Sequence, residues 1–142
     1  MGSYRHTVDH KGRLNVPAKF RKHIAPDMDE ALIVTKGLDG CLFAYPHDEW
    51  ELVKGRLRDL PVTQKLTRRF MRMFMSVAVA VSVDKQGRIG LPKSLLDAAG
   101  IDAEVLLIGT IDHFEIWDPV VYQESMDEDS SSFEEVAESI LL

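Results

Sequence analysis

Apolar and polar residues follow one another in a pattern that occurs twice along the chain. Residues 31–46 (ALIVTKGLDGCLFAYP) and 103–119 (AEVLLIGTIDHFEIWDP) each contain two apolar runs separated by a polar turn with a glycine. Such runs predict paired strands. A shorter hairpin pattern precedes each pair, and a helical pattern follows it. Each unit is therefore expected to run strand, tight turn, strand, short helix, strand, turn, strand, helix.

Apolar residues that recur every three or four positions predict the longer helices. One stripe covers residues 50–60, with Asp48 as its expected N-cap. A second stripe covers residues 62–77, and the basic residues of this segment lie off the apolar face, where they form a ridge. Residues 77–83 alternate valine with alanine or serine, which predicts a strand with one branched and one small face.

Proline, serine and acidic residues mark further element ends. Pro17 and Pro92 are expected at the first position of two short helices, because proline there lacks only an N–H that would have no helical partner. Residues 126–132 (MDEDSSS) predict an acidic linker. Ser132 and Glu135 then form a capping box before a short amphipathic helix, which is expected to dock on another surface.

Composition bounds the class of protein. The 142 residues suit one compact domain, or two small repeats that share a core. The charge of −6 is uneven: residues 1–75 carry a net +5 and residues 76–142 a net −11, so a basic surface and a polyanionic partner remain compatible with the sequence. Cys41 is the only cysteine, and its apolar neighbours favour a buried residue over a nucleophile. With no long apolar stretch, the protein is expected to be cytoplasmic and not membrane-bound.

One short motif occurs in both units, as VDHKGRLNVP (residues 8–17) and VDKQGRIGLP (residues 83–92). A three-residue hairpin loop favours glycine at its left-handed position, so Gly12 closes the first turn between Asp9 and Arg13. Strand alternation then points the arginine away from the core, beside its own aspartate. The second copy places the same three residue types at Asp84, Gly87 and Arg88.

The motif has two interpretations that the pattern leaves open. The first is a cross-strand ion pair that pins the hairpin and contributes under ~1 kcal/mol if exposed. The second is an arginine held in a chosen rotamer and presented to a phosphate or a guanine. Lys11 at the tip of the first loop favours an electrostatic role for that copy, and the second loop has the polar residues Lys85 and Gln86 instead.

Catalytic chemistry is not indicated. No Ser, Cys or third carboxylate stands in a recognisable catalytic setting, and no glycine-rich phosphate loop is present. The sequence therefore predicts no enzyme, no cofactor, no metal site and no small-molecule substrate.

With these motifs, the chain resembles the MraZ family, bacterial regulators built from two repeats similar to the SpoVT/AbrB DNA-binding module. The resemblance rests on residues 4–21, 40–50, 68–78, 83–92 and 114–119, in that order along the chain. It implies a mainly β fold with short helices (α+β), a swapped-hairpin AbrB-like β-barrel formed by the two repeats, with added helices and a C-terminal helix. The expected divisions are 1–60 (first repeat), 61–76 (connecting helix with a basic face), 77–123 (second repeat) and 124–142 (acidic linker and helix).

The resemblance also implies a function. Family members assemble into a ring-shaped homo-oligomer that binds tandem repeats in double-stranded promoter DNA, regulating the division and cell-wall gene cluster, with repression as the expected direction and a nucleoid-associated location. The DNA-contacting motif Asp-x-x-x-Arg falls on Asp9 to Arg13 and on Asp84 to Arg88, with Gly12 and Gly87 forming the turns and Lys11 and Lys85 beside them. Candidate phosphate contacts are Arg5, Lys19, Arg21 and Lys22.

This chain departs from the family pattern in its second repeat. Only Lys85, Arg88 and Lys93 are basic after residue 75, so the first hairpin is expected to make the stronger DNA contact. The alternative function is a ring-forming scaffold or protein-binding adaptor, with hairpin ion pairs that are only structural.

Overall fold

The computed structural model describes residues 1–22, 24 and 31–141, with the side chain of residue 141 left undescribed. The first half of the chain contains the strands and helices β1 (Gly2–Thr7), β2 (Arg13–Asn15), α1 (Ala18–Arg21), β3 (Leu32–Lys36), β4 (Leu42–Pro46) and α2 (His47–Arg58), followed by α3 (Lys65–Met75) where the connecting helix is expected. The second half contains β5 (Val79–Val81), β6 (Arg88–Gly90), α4 (Lys93–Ala98), β7 (Glu104–Gly109), β8 (Phe114–Trp117) and α5 (Pro119–Glu128), followed by α6 (Phe133–Leu141). The expected α+β class and the element order of both units are confirmed.

The main sheet interleaves the two repeats. Six antiparallel strands follow the order β1-β7-β8-β4-β3-β5. The first strand of each repeat pairs with the third strand of the other, because β1 lies beside β7 and β5 lies beside β3. If each strand is replaced by its counterpart in the other repeat, the same order is read from the opposite edge of the sheet. The sheet therefore has an approximate twofold axis between β4 and β8.

The second strands of the two repeats pair with each other in a separate two-stranded ribbon, β2 with β6. Leu14 lies opposite Ile89 at the centre of this ribbon, and the two side chains are 0% and 1% exposed. Both belong to the main core cluster, together with Val8, Val16 and Leu91. The ribbon is therefore anchored by its apolar face, as the alternation of the sequence predicts.

Helices α2 and α3 cover the opposite face of the main sheet. Trp50 of α2 and Phe74 of α3 stack with their ring centroids 5.7 Å apart, beside Tyr45 of β4. The hydroxyl of Thr35, which is fully buried, donates a 2.7 Å hydrogen bond to the carbonyl of Phe74. This bond fixes the end of α3 to the sheet.

Several predicted element ends are wrong. Asp48 is not an N-cap, because α2 already begins at His47 and places Asp48 in its first turn. Pro17 and Pro92 are the N-cap residues of α1 and α4 and not their first helical residues, so both helices begin one residue later than predicted. Helix α5 continues through the acidic residues to Glu128, so the connection to α6 is only residues 129–132.

Other local predictions are confirmed. The N-cap half of the predicted capping box is present, because the Ser132 hydroxyl accepts a 3.2 Å hydrogen bond from the Glu135 N–H; the Glu135 carboxylate accepts from the Ser132 hydroxyl, at 3.3 Å. Cys41 is 3% exposed, and burial raises the pKa of its thiol to about 12, which suits a packed residue and not a nucleophile. No helix in the described part of the chain is long and apolar enough for a membrane crossing.

Candidate nucleic-acid interface

The first hairpin is organised around the Asp9 carboxylate. Its Oδ1 accepts hydrogen bonds from the backbone N–H groups of Lys11 and Arg13, each 2.9 Å long. Its Oδ2 accepts a 2.7 Å hydrogen bond from Nε of Arg13. One aspartate thus fixes both the turn and the Nε edge of the arginine guanidinium.

The second hairpin repeats this arrangement. Oδ1 of Asp84 accepts 2.9 Å hydrogen bonds from the N–H groups of Gln86 and Arg88, and Oδ2 accepts a 3.0 Å bond from Nε of Arg88. Within the part of the chain that the structure describes, the hydrogen bonds of both guanidinium groups involve Nε only, which leaves the terminal nitrogens free to donate. The arginine side chains are 34% and 27% exposed.

These contacts keep both aspartates ionised. The backbone N–H of Arg13, followed by its side chain, lowers the pKa of Asp9 from 3.8 to about 2 despite some desolvation. The pKa of Asp84 is lowered for the same reason, chiefly by the backbone N–H of Arg88. Each arginine is therefore paired with a full negative charge on one edge of its guanidinium.

The two turn glycines are needed for conformation and for space. Gly12 and Gly87 have φ angles of +77° and +80°, in the left-handed region that the predicted turn requires. Each glycine carbonyl also accepts a hydrogen bond from the other repeat: the Leu91 N–H donates to Gly12 and the Val16 N–H to Gly87, both at 2.9 Å. A Cβ on Gly12 would lie 2.6 Å from the backbone oxygen of Leu91.

The ribbon brings the two arginines onto one surface. Arg13 lies opposite Gly90, and Asn15 lies opposite Arg88. Since Leu14 and Ile89 point into the core, these four positions share the outer face of the ribbon. The two arginines are diagonal neighbours on that face, and the Cα atoms of such neighbours are about 7 to 8 Å apart. Sequence reasoning treated the hairpins as separate and missed Asn15 and Gly90, although both occupy the same position of the repeat.

The candidate phosphate contacts lie in different places. Arg21 packs against the second hairpin, since a Cβ on Gly87 would lie 2.8 Å from its guanidinium. Lys19 lines a cleft with Asp48 and Glu49. Lys22 is exposed at the end of α1.

Arg5 is remote from this surface. It pairs with Leu106 on the face of the sheet that carries Cys41 and Trp117, whereas the neighbouring Tyr4 packs on the core beneath the ribbon. The structure therefore places Arg21, alone among the four candidates, against a hairpin.

The surroundings of the two hairpins differ in charge. The counterpart of Arg21 in the second repeat is Leu96, whose Cδ1 would lie 3.7 Å from a Cβ on Gly12. The cleft beside the first hairpin also contains Asp97 and Asp102, and Asp97 forms a 3.1 Å ion pair with Lys93. Arg21, at the end of α1, thus adds its charge to the second hairpin.

The fold and the site define a class: a two-repeat α+β protein whose charged hairpins meet on one β-ribbon. The family model described as "MraZ protein, putative antitoxin-like" matches residues 1–73 and again residues 73–142. A relative from Ligilactobacillus salivarius, named "Transcriptional regulator MraZ", is 43% identical over 141 residues, covering 99% of this chain and 96% of the relative. The chain belongs to the MraZ family, a family of transcriptional regulators and not of enzymes.

Proposed function

We propose that the chain is a sequence-specific DNA-binding transcriptional regulator that inserts its β2–β6 ribbon into the major groove. The observation that carries this proposal is the shared ribbon face, where Asp9 and Asp84 orient Arg13 and Arg88 while leaving their terminal nitrogens free. An ion pair that only pinned a hairpin would not need two arginines on the same outward surface.

The ribbon has the dimensions and the chemistry for reading bases. The major groove of B-DNA admits a two-stranded β-ribbon, and an arginine fork pairs with the O6 and N7 of guanine. Asn15, exposed opposite Arg88 on the same face, offers an amide suited to adenine. A Cβ on Gly90 would meet no atom of the described residues within 4 Å, so this position leaves room for the approach of a base pair.

Phosphate contacts flank the ribbon. Lys11 and Lys85 are exposed in the hairpin loops, and Arg21 stands beside the second loop. The expectation that the first hairpin dominates rested on the basic residues that follow it in sequence. Because α1 lies against the second hairpin, Arg21 favours DNA contact by both hairpins.

Oligomerisation is the second part of the proposal. One arginine–guanine pair discriminates by about 1–3 kcal/mol, so a single ribbon would read DNA poorly. Linking copies in a ring makes later contacts intramolecular and raises affinity by ~10² or more on tandem repeats. The proposed target is the set of promoter repeats of the division and cell-wall gene cluster, and the proposal includes a location at the nucleoid and a role as repressor. The exchange of strands between the repeats supports a swapped-hairpin barrel as the core of each subunit.

The test is fluorescence anisotropy of the wild-type protein on labelled duplexes that carry one to four copies of the repeat upstream of its own gene. We expect the affinity to rise steeply with copy number. It should also fall as salt rises from 50 to 200 mM, with a log–log slope near −0.9 per phosphate contact. Affinity that does not change with copy number would refute the assembly on tandem repeats.

The alternative, a scaffold or adaptor that binds protein through its acidic half, predicts a different result. Any DNA association would then depend weakly on salt and would not distinguish the repeat from a scrambled duplex. A scrambled duplex of the same length is therefore the matched control.

A further inference from the structure

An apolar groove lies between α2, α3 and the adjoining sheet. Its volume is about 340 Å³, and its lining is mostly apolar. The residues that define it here are Leu38, Phe43, Val53, Leu57, Phe70 and Met73. Leu38, Phe70 and Met73 are 65%, 40% and 50% exposed, so the groove stays open in the single chain.

Helix α6 carries an apolar face of matching size. Phe133, Val136 and Ile140 recur at helical spacing and are 84%, 44% and 74% exposed. At 1.5 Å per residue, the nine residues of α6 and the eleven of α3 are about 14 and 17 Å long. An amphipathic helix with apolar residues at i, i+3 and i+7 is the form of ligand that such a groove accepts.

The two helices have opposite charges. The basic residues of α3 are Lys65, Arg68, Arg69 and Arg72, and this helix contains no acid. The acidic residues of α6 are Glu134, Glu135 and Glu138, and this helix contains no base. Docking α6 along α3 therefore joins two complementary surfaces as well as two apolar ones, which favours a defined orientation.

The occupant that fits these observations is a second copy of the chain. The structure contains both surfaces, yet α6 leaves its apolar face exposed and its own groove open. We propose that α6 of one subunit docks into the α2–α3 groove of the next. Because donor and acceptor surfaces differ, this contact is head to tail, and repeating it gives a closed ring or an open filament. The inference rests on the proposed oligomerisation and identifies the surfaces that make it.

The test uses the full chain and measures molar mass by light scattering during gel filtration. Phe133→Asp places a charge on the apolar face of α6, and Met73→Asp does the same in the groove. Ser139→Asp adds the same charge to α6 away from its apolar face and serves as the matched control. Circular dichroism confirms that each variant is folded, as expected from the exposure of these positions.

We expect the wild type and Ser139→Asp to be oligomeric and the other two variants to be monomeric. An equimolar mixture of Phe133→Asp and Met73→Asp should then give dimers and nothing larger, because one intact groove meets one intact helix. A mixture that stays monomeric, or the loss of oligomers with Ser139→Asp, would overturn the head-to-tail contact.

Two other outcomes separate this inference from the proposed function. If all variants keep the wild-type mass, the docking surfaces are wrong while the oligomer stands. If the wild type itself is monomeric at every concentration, both the docking and the proposed ring are wrong.

Discussion

Alanine at the two turn glycines should have unequal effects on stability, although the turns have nearly the same backbone geometry. The left-handed conformation costs a residue with a Cβ about 1–2 kcal/mol, and this cost applies equally to Gly12 and Gly87. The added methyl group meets different neighbours. At Gly12 it would lie 2.6 Å from the backbone oxygen of Leu91, whose N–H is bonded to the Gly12 carbonyl.

The difference in neighbours sets the magnitude. Moving a hydrogen-bonded backbone in a packed region costs about 1–3 kcal/mol, so Gly12→Ala should lower the free energy of unfolding by about 2–5 kcal/mol in total. At Gly87 the obstacle is the guanidinium of Arg21, the end of a flexible side chain that can move away. Gly87→Ala should therefore cost little beyond the conformational term of about 1–2 kcal/mol.

The assay is urea unfolding at one protein concentration, followed by the fluorescence of the two buried tryptophans, Trp50 and Trp117. The entropy that alanine removes from the unfolded chain is the same at both sites and cancels in the comparison. Adding Arg21→Ala to Gly87→Ala should remove the contact of the new methyl group at position 87. Adding Arg21→Ala to Gly12→Ala should leave the cost at position 12 unchanged. Equal destabilisation at the two glycines, or a larger effect at Gly87, would refute this account of the turns.

Three further predictions follow from individual contacts. The pKa of Asp9 is about 2 against an ordinary 3.8, so the hairpin stability it contributes should be complete above about pH 4 and lost as the pH falls toward 2. Carbon-13 NMR of the Asp9 carboxyl should show a titration midpoint near this pKa. Arg13→Ala should raise the midpoint only partly, since the backbone N–H of residue 13 is the main cause of the lowered pKa. Thr35→Val leaves the Phe74 carbonyl without its buried donor and should cost about 1–3 kcal/mol in urea unfolding, whereas a cost near zero would show that water replaces the hydroxyl. The Cys41 thiol, with a pKa of about 12, should react with a thiol reagent at neutral pH only in urea; rapid reaction of the folded protein would contradict its burial.

Local pattern was enough to predict the repeats, the turns and the buried side of each hairpin. Gly12 and Gly87 could be placed because a three-residue loop imposes one left-handed position, and Leu14 and Ile89 because alternation in a strand is strict. The ends of helices were less predictable. Composition predicts a linker at residues 126–128, but they continue α5, since polar residues on an exposed helix face cost little.

The relation between the repeats could not be read from local pattern. Arg21 follows the first hairpin in sequence but lies against the second, because the pairing of β2 with β6 places each short helix on the other repeat. Summing charge over halves of the chain therefore could not show that Arg21 lies beside the second hairpin. The diagonal placement of Arg13 and Arg88 likewise depends on the register in which β2 pairs with β6, and the sequence of one repeat alone does not specify that register.

The central claim is that the paired arginines read DNA, and the affinity of arginine variants for a multi-copy repeat duplex tests it most directly. Arg13→Ala and Arg88→Ala should each weaken binding by about 1–3 kcal/mol per bound ribbon, and the loss should be smaller on a scrambled duplex. Arg5→Ala, on the opposite face of the sheet, is the matched control and should bind like the wild type. If the two hairpin variants, still folded, bind as tightly as Arg5→Ala, the arginines only brace their hairpins and the ribbon does not read DNA.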